Sequence, residues 1–238
     1  MSVQRQVASS NRLLAVLPRR ESQRLLAACE PVQLELGNIL HQPNGRIQHV
    51  YFPTGSFISL MIPVANLAHL EVGLIGSEGM LGAPLVLGVA VSPLRARVQG
   101  AGPAWRMSAV QFARELGRVP SLRRALHRYL QVRMSQLAQA AACTRFHMVE
   151  ERLARWLLMA QDRAHGDGFH VTHEFLAYIL GVRRVGVTKA ANALQLRRLI
   201  RYRRGSVEIL DRRGMEAASC DCYQADRETY DSLLPAAA

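Results

Sequence analysis

The stretch from Val171 to Leu210, VTHEFLAYILGVRRVGVTKAANALQLRRLIRYRRGSVEIL, most constrains what this chain can fold into. It reads as a helix, a tight turn, a second helix and a short hairpin. Thr172 is placed to cap the first helix, and Glu174 sits in its first turn, where the helix dipole favours an acid. Counted from His173, the small residue Ala177 is fifth, Gly181 ninth and Val187 fifteenth. A small fifth residue lets two helices cross closely. Glycine at the turn can take positive φ. A β-branched residue in the second helix packs back on the first. These are the requirements of a helix-turn-helix. Its second helix would present Arg183, Arg184, Thr188, Lys189 and Asn192, side chains that reach bases and phosphates. Arg203-Arg204-Gly205-Ser206 reads as a hairpin tip, with Val207, Ile209 and Leu210 returning as a strand. A basic hairpin beside a recognition helix can grip neighbouring phosphates.

Charge agrees with this reading. The chain has 238 residues and a formal net charge of +12. Positive charge is densest in residues 171–213, whereas the tail from Gly214 onward is acidic. A basic patch coinciding with a helix-turn-helix fits a polyanion, double-stranded DNA above all. The length suits two modest domains. No apolar run is long enough to span a membrane, so no membrane partner is expected. The opening residues MSVQRQVASSNRLLAVLPRR hold only a short apolar patch, so the expectation is a cytoplasmic protein without a secretory signal.

Upstream the texture is different. Residues 12–29 suggest short helices broken at Pro18. Short apolar runs then alternate with turn residues: Val32–Leu36, Ile39–Leu40, Val50–Phe52, Phe57–Ile62, Leu70–Ile75 and Leu94–Val98. Many short, closely spaced strands predict a β-barrel or β-roll. A short helix is expected over 108–119. Leu122, Leu126, Leu130, Met134, Leu137 and Ala141 then fall on one stripe of a long helix, suited to pairing with a second copy or to packing on the roll. A helix over Val149–Arg163 should place Leu153, Trp156, Leu157 and Ala160 under the helix-turn-helix. A turn follows over Ala164–Gly168, and the acidic C-terminal tail is expected to fray.

The order of a β-roll, a long helix and a winged helix-turn-helix resembles the Crp/Fnr family of bacterial transcription regulators. The resemblance runs from about Asn11 to Ser219, carried most specifically by LGVRRVGVTKAANAL, EILDRRGME and GLIGSEGMLG. It implies an α+β fold: a cyclic-nucleotide-binding-like double-stranded β-roll over 11–119, a long dimerisation helix over 120–145, and a winged helix-turn-helix over 146–219. An acidic tail over 220–238 completes the chain. It implies a homodimer with two recognition helices in successive major grooves, a signal sensed in the roll, and RNA polymerase as a further partner. Arg184 would take the main base-reading position, and Lys189 the next basic one. His173 stands where a phosphate-binding arginine is frequent. Val185 stands where many members carry a cytosine-reading glutamate. Arg183 replaces a capping Ser or Thr.

In the roll, the residues matching the family's ligand turn are Gly76, Ser77, Glu78 and Gly79, with the glutamate shifted by one position. Leu94 stands where a phosphate-binding arginine would be, with Arg95 next to it, so the residues do not favour a cyclic nucleotide. Cys29 alone lies near the N-terminus, so no iron–sulfur cluster is expected. His41, His49 and His69 are dispersed, and nothing selects one as a haem ligand. Cys143, Cys220 and Cys222 do not suggest a disulfide framework, and Cys-Asp-Cys is a poor zinc or thioredoxin spacing, so no metal site is expected. With no convergent histidines and carboxylates, no catalytic residues and no enzyme activity are expected. The alternative function is a small-molecule-binding module whose head does not bind DNA.

Overall fold

The computed structural model describes residues 11–64, 67–164 and 168–235. The first ten residues, the centre of the expected Ala164–Gly168 turn and the last three alanines lie outside the described residues. Among the described residues, no helix is long and apolar enough to cross a membrane.

Two short helices open the described part of the chain, α1 (Arg12–Ala15) and α2 (Arg19–Ala27), with Pro18 between them at the start of α2. Asn11 is fully buried. Its side-chain oxygen caps α1, and its Nδ2 donates to the carbonyls of Pro53 and Gly79. One polar side chain thus fastens the first helix to the end of the strand His49–Pro53 and to the turn after the strand Leu67–Ile75.

Nine strands follow: β1 (Glu30–Leu34), β2 (Ile39–His41), β3 (Gly45–Arg46), β4 (His49–Pro53), β5 (Phe57–Val64), β6 (Leu67–Ile75), β7 (Val91–Ser92), β8 (Arg95–Gly100) and β9 (Gly102–Ser108). All pair antiparallel, in sheets ordered β1-β9-β4, β2-β8-β5-β6 and β3-β7. This is the β-roll. Its apolar interior includes Leu34, Tyr51, Ile58, Leu60, Ile75, Ala96, Val98 and Ala104. Strand alternation sends the intervening residues the other way. On β9, Ala104 faces the interior while Trp105 and Met107 join a second cluster with the covering helices. On β8, Ala96 and Val98 are buried, so Arg95 and Arg97 point away from the interior.

Helix α3 (Ala109–Arg118), capped by Ser108, leads into α4 (Pro120–Phe146). Proline at the first helical position needs no amide partner there. The predicted leucine stripe divides along this helix, which is about 40 Å long. Leu122 and Leu126 are fully buried against the roll, but Met134 is 64% and Leu137 46% exposed. The first half packs on its own chain; the second half leaves an apolar edge.

Helix α5 (Val149–Ala164) buries Leu153, Trp156, Leu157 and Ala160, as their spacing predicts. Beyond it lie β10 (Gly168–His170), α6 (His173–Leu180), α7 (Arg184–Leu196), β11 (Ile200–Arg203), β12 (Ser206–Ile209) and α8 (Arg212–Ala218). The three strands form one sheet ordered β10-β12-β11.

The C-terminal tail differs from expectation. Residues 222–233 form a helix, α9 (Cys222–Leu233), packed along α4. Cys222, Tyr223, Asp226 and Tyr230 recur on one face and are buried. The Tyr230 hydroxyl donates to the Glu78 carbonyl, and Arg12 pairs with Asp231 at 2.7 Å. The acidic residues that suggest fraying are largely partners of arginines elsewhere: Asp226 is buried against Arg155.

Candidate nucleic-acid interface

Helix α6 begins where the Thr172 hydroxyl accepts from the Phe175 amide at 3.1 Å. It ends at Gly181, whose φ of +63° lies in the left-handed region that a side chain makes costly. Ala177 and Val187 are both buried at the crossing of α6 and α7. Each spacing constraint seen in the sequence therefore has its structural counterpart. Arg183 stands at the N-cap of α7 and makes no capping bond, leaving its guanidinium exposed.

Arg184, Val185, Lys189 and Asn192 lie along α7, and all four are exposed. Val185 is 59% exposed, an apolar side chain held in water on an otherwise polar face. Arg203 and Arg204 are exposed on the hairpin between β11 and β12. That hairpin turns through Arg204 at φ +49° and Gly205 at φ +79°. Two successive positive φ values make the two-residue turn whose twist matches the flanking strands. Arg204 therefore holds an unfavourable left-handed conformation, costing about 1 kcal/mol, with its guanidinium at the tip.

The ion pairing of the head is asymmetric. Among the described residues, no ion pair involves Arg183, Arg184, Lys189, Arg203 or Arg204. Elsewhere in the head, Arg197 pairs with Glu150 at 3.1 Å, Arg201 with Glu208 at 2.7 Å and Arg212 with Asp162 at 2.7 Å. Other cations of the head are neutralised while these five are left uncompensated, which focuses positive potential on α7 and the hairpin tip.

Thr188 and His173 hold a different position. Thr188 Oγ1 lies 3.1 Å from both His173 Nδ1 and the Arg184 carbonyl. The His173 ring sits 4.5 Å from that of Tyr202 on β11. His173 thus ties α6 to α7 and to the hairpin. Burial, with a smaller contribution from Arg184, lowers its pKa. Thr172, exposed as the cap of α6, also lines a cleft facing the roll.

That cleft has a volume of about 670 Å³. His69, Arg95, Arg97 and Gln99 line it from the roll, and Thr172, Glu174 and Phe175 from the head. The Arg97 guanidinium lies 5.2 Å from the Phe175 ring centre. The Arg95 Nε is buried without a hydrogen-bond partner among the described residues.

The five residues singled out as ligand contacts do not meet. Gly76, Ser77, Glu78 and Gly79 form a turn engaged with other parts of the chain, and Arg95 lines a separate cavity. The Ser77 carbonyl accepts from the Arg12 amide, the Gly79 carbonyl from Asn11, and the Glu78 carboxylate from Arg163 at 2.8 and 2.9 Å. A Cβ at Gly79 would collide with the Tyr129 ring, so this glycine permits close packing. The cause of the separation is strand parity: Arg95 follows the inward-facing Leu94 and precedes the buried Ala96, so it leaves the roll. Of the histidines, His41 is bonded to the His49 carbonyl and His69 lines the cleft.

The fold also gathers four metal-ligating side chains that the sequence scatters: Cys143, His147, Cys220 and Cys222. Cys143 and Cys220 are 77 residues apart, so no short spacing motif announces them. The local signals are the Cys220-Asp221-Cys222 pair and the four-residue step from Cys143 to His147 at the end of α4.

Residues 151–218 match the Crp-like helix-turn-helix domain family. The chain is also similar to solved structures along most of its length. The c-di-GMP-responsive global regulator CLP of Xanthomonas campestris is 17% identical with a TM-score of 0.65, covering 82% of this chain and 100% of that one. A transcriptional regulator of the crp/fnr family from Eubacterium rectale is 15% identical with a TM-score of 0.66, covering 85% and 94%. A CRP/FNR-family transcriptional regulator from Thermus thermophilus is 19% identical with a TM-score of 0.66, covering 80% and 98%. No curated protein matches the chain in sequence. With its winged head, long helix and β-roll, the chain carries a Crp-like helix-turn-helix domain on the architecture of the Crp/Fnr transcription regulators.

Proposed function

We propose that this protein is a homodimeric, sequence-specific DNA-binding regulator of the cytoplasm, without catalytic activity of its own. The observation that carries this reading is the set of five cations on α7 and the hairpin, none of them in an ion pair among the described residues. The recognition helix enters a major groove, where Arg184 reads a guanine edge. Val185 offers an apolar contact to a thymine methyl in place of a polar contact to cytosine. Lys189 and Asn192 extend the contact. Arg183, Arg203 and Arg204 hold phosphates on either side. The exposed Met134 and Leu137 of α4 supply a seam for a second copy, which would set two recognition helices on one face of the duplex.

The effector reading moves out of the roll. The apolar interior and the inward Leu94 do not suit a buried cyclic phosphate, which needs a paired cation. Arg95, Arg97 and His69 suit an anionic effector in the cleft between roll and head.

Selection of binding sites from random duplexes by the purified full chain tests the regulator reading. The expected result is a two-fold symmetric motif with half-sites about one helical turn apart. Arg184→Ala should cost about 1–3 kcal/mol of discrimination, concentrated at one base pair of each half-site. Arg204→Asn keeps a residue that tolerates the left-handed turn. It should weaken binding to all sequences evenly and lower the salt slope by about 1 per protomer. An even loss from Arg184→Ala would make it a phosphate contact. Absence of any motif at low salt would remove the DNA-binding reading.

A further inference from the structure

We propose that Cys143, His147, Cys220 and Cys222 form a tetrahedral site for one zinc-type divalent ion, bound by three thiolates and an imidazole. The four ligand atoms lie within 4.8 Å of one another. Cys143 Sγ is 3.6 Å from Cys220 Sγ, and Cys222 Sγ is 3.4 Å from His147 Nδ1. Zinc–sulfur bonds of about 2.3 Å and zinc–nitrogen bonds of about 2.0 Å give tetrahedral edges of roughly 3.5–3.8 Å. Both measured edges are close to that size. A disulfide would need the sulfurs at about 2.05 Å, and all four cysteines of the chain are free. An iron–sulfur cluster, with sulfides bridging several irons, would need its ligands spread wider than one tetrahedron.

The surroundings fit a bound ion. The imidazole presents Nδ1 to the sulfurs, while its Nε2 lies 3.5 Å from the Asp221 carboxylate. A carboxylate behind a ligating histidine fixes the ring and its tautomer. Gln139 Nε2 is 3.0 Å from Cys222 Sγ, as a donor to a thiolate would be. Three thiolates around a dication leave one negative charge, and Arg152 and Arg155 line the same cavity as Cys143. The three cysteines are buried and the histidine is half-buried, which leaves no open coordination position. A closed set of this kind is structural. On binding, each thiol releases its proton to solvent and the imidazole enters neutral.

The location gives the ion a task. Cys143 and His147 lie at the end of α4; Cys220 and Cys222 lie at the corner between α8 and α9. The ion would clip the long helix to the start of the C-terminal helix, and that helix reaches back to Glu78 and Arg12 on the roll. Loss of the ion would release one end of this strap.

The test is metal analysis of the full chain purified under reducing conditions without chelator, followed by cobalt(II) titration of the demetallated protein. The expected result is one zinc per chain and, with cobalt, thiolate charge-transfer bands with a tetrahedral ligand-field spectrum. Cys29→Ser should change nothing. The Cys220→Ser, Cys222→Ser double variant should lose the bands. Asp221→Asn should keep them and weaken affinity by about 10–100-fold, so the site stays testable even where the double variant does not fold. An octahedral cobalt spectrum in the wild type, equal binding by the double variant, or a Cys143–Cys220 disulfide formed in air with no metal taken up would each overturn the proposal.

Discussion

Arg163→Met is expected to destabilise the protein by about 3–5 kcal/mol, the effect of leaving a buried carboxylate without its cation. The Arg163 side chain is 9% exposed and that of Glu78 17%. Arg163 donates twice to Glu78 and once to the Met159 carbonyl, and the Gly76 amide donates to the same carboxylate oxygen. Removing the guanidinium takes away the only cation paired with Glu78 among the described residues. The double variant Arg163→Met, Glu78→Gln should recover much of the loss, since a buried pair replaced as a whole often costs little. Urea unfolding at constant slope measures both. A single-variant cost below about 1 kcal/mol would mean that the pair behaves like a solvated surface bridge. Because Glu78 lies in the turn that resembles a ligand loop, the same experiment asks whether that turn serves the fold.

The second large effect is a pH dependence centred on Glu71. Its backbone lies on a partly exposed strand, but its carboxylate points inward to the Ser59 hydroxyl and to Trp156 Nε1, 2.7 Å away. Burial pushes this carboxyl up to about 7, against the opposing pull of the Ser59 and Trp156 hydrogen bonds and of Arg163 and Arg133. The folded chain therefore holds a proton that the unfolded chain has lost. Stability contributed by that proton is full below the ordinary carboxylate range and is lost as pH rises to about 7, by up to about 3 kcal/mol. Glu71→Gln keeps an acceptor for Trp156 and removes the titration. It should flatten the slope between about pH 5 and about pH 7 and exceed the wild type in stability at higher pH. An unchanged slope in the variant would assign the proton to another group. Trp156 belongs to the head and Ser59 to the roll, so this titration acts on the joint between them.

The parts of the fold legible in the sequence are those written by local geometry. Ala177, Gly181 and Val187 mark the helix crossing because sterics at a tight turn act within fifteen residues. Leu122 to Ala141 mark a long helix because one stripe repeats every three or four positions. Residues whose roles depend on distant partners are not legible. Arg95 is next to Leu94 in sequence, yet a one-residue step on a strand reverses the side it faces. His173 matches a phosphate contact by alignment, but Tyr202 and Thr188 arrive from two other elements to enclose it. The tail reads as solvated because its acids are visible, whereas Arg155, the partner of Asp226, lies on another helix far back in the chain. Cys143 and Cys220 become neighbours only once α9 has folded along α4.

The cleft has one wall from the roll and one from the head. A molecule seated between Arg95 and Glu174 touches both, so its binding free energy contains the position of the head. Thermodynamic reciprocity then applies in both directions: the factor by which such an effector changes operator affinity is the factor by which operator DNA changes effector affinity. Titrating an anionic candidate effector into purified protein with and without a short duplex would therefore report the coupling between roll and head, with no promoter and no cell.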